Sequence, residues 1–201
     1  MAQTVENTSQ NGQPTIELLD LFPRQGQWTE SDYFRLPETN RIIELSEGRL
    51  IITPPPTDLH QRIAYKLILL LGNYVSSNNL GEVRFSPTGV RLSEGIIREP
   101  DIVFMGNEHR NRINEIYWGV PDLVMEILSK STAKDERENK FHEYEEAGVL
   151  EYWIVDPFKK SIEVFSLENK AYMLFSKCVS RETAKSKLLD GFEASVDEVM
   201  A

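Results

Sequence analysis

A glutamate and a lysine stand in two segments whose remaining pattern predicts burial. Glu126 interrupts the apolar run at residues 123–128, which has the length and composition of a buried strand. Lys140 lies in the helix predicted after residue 131, on the face that also carries Arg137 and the large side chains of Phe141 and Tyr144. A buried charge requires a partner of opposite charge or a metal ion. These two residues are therefore candidate members of a functional site.

A second acid extends this pair to three residues, although a structural explanation is also available. For a lysine alone, the simpler interpretation is a packed stem whose ammonium reaches solvent or pairs with an acid. The strand glutamate could likewise form an ion pair with Lys140, Arg137 or Lys130, whereas its functional partner would be a divalent metal ion. Asp101 opens the neighbouring apolar segment. Two acids on adjacent strands can bind a hard cation through oxygen atoms, and a nearby lysine can orient the attacking water.

Other side chains of the right chemistry are weaker candidates. Asp122 lies four residues before Glu126, about 13 Å along a strand, which is too far to share one metal ion. The pair Asp156-Pro157 is typical of a turn at the end of a strand. The three histidines are far apart in the sequence and form no i, i+4 pair, so they are poor metal candidates. His60, in the first turn of a long helix, could line the site, but a capping or surface role is equally compatible with its position.

The elements that position these residues follow from hydrophobic periodicity, caps and turn residues. Helices are predicted over residues 29–36, over 58–77 after an Asp58 cap, and from a Ser131 or Thr132 cap to Gly148. Strands are predicted over residues 41–45, 49–53, 82–92 with a break near Pro87, 99–105, 123–128, 151–155, 161–167 and 171–175. The pattern predicts one α+β domain over residues 15–201, in which helices flank a mixed sheet. Residues 1–14 are polar and are predicted to be a disordered tail.

Composition restricts the classes of function. The chain has 201 residues and a net charge of −10, with 22 basic against 32 acidic side chains. This balance disfavours non-specific DNA binding by the monomer unless a local basic groove or bound metal ions supply positive charge. No apolar run is long enough for a membrane span and no secretory signal is visible, so a cytoplasmic location is expected. A single cysteine, Cys178, excludes a disulfide scaffold or a cysteine-based zinc site.

Several segments together resemble a known family. They are EPDIV at 99–103, PDLVMEILS at 121–129 and EYWIVD at 151–156, with Lys140, Tyr144 and Gly148 between them. The hairpin at residues 43–51 and His60 also fit. In these features the chain is similar to a bacterial restriction-endonuclease-like family, the Uma-type domain of unknown function, within the PD-(D/E)XK nuclease superfamily. The resemblance covers most of residues 28–195 and implies a restriction-endonuclease-like core.

The resemblance also implies a set of site residues. Asp101 would be the acid of the "PD" element and Glu126 the second acid, and both would bind Mg²⁺ or Mn²⁺ with the backbone carbonyl of Ile127. Glu44 would be an additional acid at the edge of the site. These roles are carried over position by position from the family pattern.

One position departs from the superfamily pattern. The lysine of the (D/E)XK element should stand two residues after the second acid, where this chain has Leu128. The resemblance implies a lysine displaced to the following helix, which here is Lys140. Lys130 is the competing candidate, but it follows the strand in a serine-flanked turn and is expected to be exposed.

The function implied is that of a metal-dependent DNA endonuclease that hydrolyses phosphodiester bonds. The alternative is a non-catalytic module that keeps the nuclease fold for binding protein or nucleic acid, in the form of a homodimer. A purely structural ion-pair cluster ranks last, because nothing structural requires Asp101, Glu126 and Lys140 together.

Overall fold

The computed structural model describes residues 22–37, 39, 41–130 and 132–201. The predicted disordered tail at 1–14 and the candidate cap Ser131 therefore lie outside the described residues. The α-helices are α1 (Glu30–Tyr33), α2 (Asp58–Ser77), α3 (Ala133–Arg137), α4 (Asn139–Ala147) and α5 (Val196–Met200). The strands are β1 (Ile43–Ser46), β2 (Arg49–Ile52), β3 (Gly81–Phe85), β4 (Val90–Ser93), β5 (Ile96–Arg98), β6 (Ile102–Gly106), β7 (Leu123–Ile127), β8 (Glu151–Asp156), β9 (Ser161–Glu168), β10 (Ala171–Val179), β11 (Thr183–Lys185) and β12 (Glu193–Ser195).

A six-stranded mixed sheet forms the centre of the fold, in the order β10-β9-β8-β7-β6-β3. Its β7–β8 pair is parallel, as expected for two strands joined through a helix, and the other pairs are antiparallel. Alternation along β7 directs Met125 and Ile127 to the core that α2 covers, and Val124 to the core that contains Tyr144 of α4. Glu126 has the same parity as Val124. The strand therefore directs its carboxylate towards α4.

A second sheet, in the order β2-β1-β5-β4, carries two more charged residues into the interior. Glu44 on β1 and Arg98 at the end of β5 are both buried. The hairpin of β1 and β2 is as predicted, with Gly48 at a φ of 72°. The strand predicted over residues 99–105 begins only at Ile102, and the sequence analysis did not predict β5.

Two helix predictions need correction. The N-cap of α2 is Thr57, whose hydroxyl accepts the His60 N–H at 3.3 Å, and Asp58 is the first helical residue. The helix predicted after Ser131 is two helices, because the backbone at Glu138 leaves helical geometry with a ψ of −78°. Gly148 ends the second of them in the left-handed region, as predicted, with a φ of 87°.

Candidate active site

The centre of the candidate site is the pair formed by Glu126 and Lys140. The lysine Nζ lies 2.8 Å from Glu126 Oε1, and the Tyr144 hydroxyl donates to the same oxygen at 2.7 Å. Lys140 and Tyr144 reach it together because residues four apart share one face of α4. All three side chains are buried. Both partners of the glutamate stabilise its ionised form.

Glu44 and Arg98 extend the site from the second sheet. Glu44 Oε1 lies 3.0 Å from Lys140 Nζ, and Glu44 Oε2 accepts a hydrogen bond from Arg98 Nη1 at 3.0 Å. The guanidinium also donates to both carboxylate oxygens of Glu143 on α4, at 2.5 and 2.9 Å. Arg98 therefore connects the second sheet to the helix that carries the lysine.

Asp101 joins the site through the backbone. Its Oδ2 accepts the Ile127 N–H at 2.7 Å, and its own N–H donates to Glu126 Oε2 at 3.4 Å. The two acids are neighbours because β6 and β7 are adjacent, with Ile102 opposite Met125. His60 Nε2 lies 3.1 Å from the same aspartate oxygen. The first turn of α2 thus reaches the site from the opposite face of the sheet.

Glu136 is a site residue that the sequence analysis missed. It is buried on α3, one helical turn before Lys140, and its Oε2 lies 3.6 Å from the lysine Nζ. The sequence analysis placed Arg137 on this face instead. Because the helix breaks at Glu138, Arg137 turns away and contacts Glu163 at 2.5 Å. The i, i+4 spacing of Glu136, Lys140 and Tyr144 is the signal that could have identified this acid.

Three carboxylates around one ammonium produce opposed pKa shifts. Burial raises the pKa of Glu126 to about 7; Lys140 opposes this shift, whereas Asp101 and Glu44 add to it. Burial and the charge of Glu126 raise the pKa of Glu136 well above its usual value. Burial also disfavours ionised Glu44, but Lys140 and the neighbouring guanidinium bring its pKa below the usual value. One ammonium therefore cannot neutralise all three acids.

Two basic groups beside these acids, Lys140 and His60, have raised pKa values. Burial acts to lower the pKa of Lys140, but Glu126, Glu136 and Glu44 together raise it well above the usual value. Burial also acts to lower the pKa of His60, and its contact with Asp101 outweighs this and raises it. Both groups hold a proton more tightly than they would in water.

Removing the Tyr144 hydroxyl is expected to destabilise the fold. Tyr144→Phe should lower the free energy of unfolding by about 1.5–3 kcal/mol at pH 8, because it deletes a hydrogen bond to a buried carboxylate. Denaturant unfolding measures this change. Tyr65→Phe is the matched control, since Tyr65 is 64% exposed, and it should change the free energy of unfolding by less than about 0.5 kcal/mol. Equal effects of the two substitutions would contradict the expectation.

The structure brings most of the predicted site residues together. Glu44 and Glu126 contact Lys140 directly, and Asp101 is bonded to the backbone beside Glu126. Lys130 is exposed and its Nζ lies over the Phe158 ring at 6.0 Å, so it is not part of this cluster. The roles assigned to the site residues remain predictions.

Asp122, the second "PD" acid, has a separate environment. It accepts the Gly106 N–H at 2.7 Å and lies 2.6 Å from His109 Nδ1. It lines a cavity of about 370 Å³ with Gly106 and residues of the C-terminal segment such as Leu189. The prediction that Asp122 is too far from Glu126 to share a metal ion agrees with this placement.

The donor set beside the lysine suits a hard cation. The carboxylates of Asp101 and Glu126 lie close to each other, and the backbone carbonyl of Ile127 stays a predicted third ligand. Within residues 22–37, 39, 41–130 and 132–201, no three His, Cys, Asp or Glu side chains surround a common metal position. Mg²⁺ does not require such a group, because it binds through one or two carboxylates and keeps several waters. The residues present therefore fit a magnesium ion better than a fully coordinated zinc ion.

The fold is that of the restriction-endonuclease-like nucleases. It matches a solved structure described as a putative nuclease belonging to DUF820 from Anabaena variabilis ATCC 29413, with a TM-score of 0.74 and 18% sequence identity. The match covers 86% of this chain and 97% of that one. Residues 30–197 match the Uma2 family, described as "Putative restriction endonuclease". The chain belongs to this family, which confirms the resemblance seen in the sequence, and family and fold together support a nuclease.

No curated protein matches the chain. Among the helices of the described residues, none is long and apolar enough to cross a membrane.

Proposed function

We propose that this protein is a Mg²⁺- or Mn²⁺-dependent endonuclease that hydrolyses phosphodiester bonds in DNA. One observation carries the proposal: Asp101, which directly precedes β6, lies beside Glu126 of the neighbouring strand β7, and a buried lysine contacts Glu126. A structural ion pair would require only one acid and one base. Asp101 is the additional acid, and its carboxylate accepts the Ile127 N–H at 2.7 Å. A metal-binding function explains why this acid lies beside Glu126.

Asp101, Glu126 and the carbonyl of Ile127 would hold the cation. When bound, the cation would polarise a phosphate oxygen and lower the pKa of a water molecule. Asp101 is held in place by the Ile127 N–H and by His60, so little reorganisation of its side chain is required. Burial raises the pKa of Glu126 to about 7, with added repulsion from Asp101 and Glu44, and a cation between the carboxylates would relieve that repulsion.

Lys140 would orient the attacking water and stabilise negative charge on the phosphate. Lys140 lines a cavity of about 360 Å³ together with Glu44, Thr132 and Glu136. Glu44 holds the lysine at 3.0 Å and would bind a second cation or a water on the first. The cavity would give a phosphate group access to Lys140. DNA is the substrate class that the family description favours.

Asp101→Asn gives the sharpest test, because the chain contains a matched control. With Mg²⁺ or Mn²⁺ and plasmid DNA, Asp101→Asn and Glu126→Gln should each reduce the cleavage rate about 10²- to 10³-fold, since each removes a charged ligand. Asp122 has the same kinds of contact as Asp101, one backbone N–H and one histidine. Asp122→Asn should therefore leave the rate within about threefold.

Metal binding separates this function from the alternatives. Titration calorimetry should show Mg²⁺ binding to the wild type and loss of that binding in Glu126→Gln. Metal binding without cleavage of any nucleic acid would contradict the proposed activity and favour the non-catalytic binding module. A wild-type protein that binds no metal ion, with a Glu126→Gln variant of equal or greater stability, would reduce the cluster to a structural role.

A further inference from the structure

The three carboxylates around Lys140 differ in the hydrogen bonds that they receive from groups other than the lysine. Glu126 receives a tyrosine hydroxyl and a backbone N–H in addition to the lysine. Glu44 receives an arginine and the N–H of Glu99. Both acids therefore keep hydrogen-bond donors if the ammonium moves away. Their stabilisation does not depend on Lys140 alone.

Glu136 is the exception. Its side chain is 96% buried, since only 4% of it is exposed, and its Oε2 has no hydrogen-bond partner among the described residues. This oxygen lies 3.6 Å from the Lys140 ammonium, beyond hydrogen-bond distance. A buried carboxylate without a hydrogen bond costs free energy and requires an explanation. A second arrangement of the site, in which Glu136 gains a partner, provides one.

Cation binding at Glu126 would create that second arrangement. The ammonium lies 2.8 Å from Glu126 Oε1, and a divalent cation on the same carboxylate would repel it. Lys140 can move towards α3, because Glu136 lies four residues before it and both residues line the same cavity. A shift of about 1 Å towards Glu136 Oε2 is enough to reach hydrogen-bond distance.

We propose that Glu136 is a positioning residue that receives the Lys140 ammonium when Glu126 binds a divalent cation, and so retains the lysine in the site. The inference deepens the proposed function and rests on its cation site, but it does not require that DNA is cleaved. Glu136 does not bind the cation. It makes the displacement of Lys140 from Glu126 less costly.

A double-mutant cycle on Mg²⁺ affinity tests this role without any measurement of activity. The four proteins are wild type, Glu136→Gln, Lys140→Met and the double variant, titrated with Mg²⁺ in a calorimeter. Glu136→Gln should weaken Mg²⁺ binding about tenfold in the wild-type background. In the Lys140→Met background it should change the affinity by less than about twofold, because no ammonium needs a new partner.

A labelling experiment locates the ammonium directly and needs no Lys140 variant. With saturating Mg²⁺, Lys140 of the wild type should resist acetylation by acetic anhydride, whereas Lys140 of Glu136→Gln should react, as mass spectrometry of the digested protein shows. Glu138→Gln is the matched control, since Glu138 is an exposed acid near the same helix and contacts only Lys134 through its side chain among described residues. It should alter neither the Mg²⁺ affinity nor the labelling.

Each result has a defined meaning. If Glu136→Gln weakens Mg²⁺ binding equally in both backgrounds, Glu136 binds the cation itself. If it leaves the Mg²⁺ affinity unchanged in the wild-type background, Glu136 has a structural role. Either result overturns the inference. If Lys140→Met does not fold, an unlabelled Lys140 in Mg²⁺-loaded Glu136→Gln overturns it. If DNA is cleaved but Glu136→Gln and Lys140→Met show no coupling in Mg²⁺ affinity, only this inference is overturned. If the two substitutions are coupled but no DNA is cleaved, only the proposed activity is overturned. A wild type that binds no Mg²⁺ defeats both.

Discussion

Lys140→Met should lower the free energy of unfolding by about 3–5 kcal/mol at pH 8, because it leaves buried carboxylates without their shared counter-charge. The lysine is 5% exposed and lies within 3.0 Å of both Glu126 and Glu44. Methionine has a similar length, so the decrease in the free energy of unfolding results from the missing charge and not from a cavity. Urea unfolding followed by circular dichroism measures it.

The destabilisation should depend on pH in a defined direction. The raised pKa of Lys140 means that its stabilising contribution is fully present below about pH 10.5 and is lost only at higher pH. Below pH 7 Glu126 takes up a proton in the folded state, so the effect of removing the lysine should decrease. It should decrease further below about pH 4.5, the usual pKa of a glutamate, as Glu44 with its lowered pKa is protonated.

An exposed lysine provides the control. Lys134 is 84% exposed and lies 3.8 Å from Glu138, so Lys134→Met should change the free energy of unfolding by less than about 0.5 kcal/mol at any of these pH values. If Lys140→Met is as stable as the wild type at pH 8, the buried charge cluster is not held together by this lysine.

Arg98→Met should have an effect of similar size, about 3–5 kcal/mol, through a different set of partners. The guanidinium is fully buried and donates to Glu44, to both oxygens of Glu143 and, at 3.4 Å, to Asp135. Its loss leaves those acids unpaired at the contact between the second sheet and α4. Thermal and denaturant unfolding should both show the change.

The conservative replacement separates charge from geometry. Arg98→Lys keeps the charge but cannot donate two parallel hydrogen bonds to Glu143, so it should recover only part of the stability lost in Arg98→Met. Arg110→Met is the control, because Arg110 is 64% exposed in its contact with Glu82 and should contribute less than about 1 kcal/mol. Full recovery by Arg98→Lys would show that the paired geometry is unimportant.

Part of the candidate site could be predicted from local patterns. Side chains alternate in a strand, so the apolar run at 123–128 predicted that Glu126 shares the inner face of Val124, as it does in β7. Helical spacing likewise predicted that Lys140 and Tyr144 share a buried face. The resemblance to the restriction-endonuclease-like family, now confirmed by the family match, added Glu44 and the backbone carbonyl of Ile127 to the predicted site.

Other features could not be predicted because they depend on contacts between distant segments. Arg98 contacts Glu44, 54 positions earlier in the chain, and periodicity carries no information on such pairs. Among the histidines, which the sequence analysis treated as poor metal candidates, His60 reaches Asp101 because α2 crosses the sheet at that point. The helix break at Glu138 removed Arg137 from the predicted face, and no glycine or proline marks it.

The sequence by itself determined that Glu126 and Lys140 enter the interior and on which face of its own element each of them lies. Alternation and helical spacing are properties of a single element, so they can be read without the rest of the chain. Only the tertiary structure decided how those charges are shared. The packing of the second sheet and α3 around Lys140 places Glu44 and Glu136 beside the ammonium, and one lysine then faces more buried acids than it can neutralise.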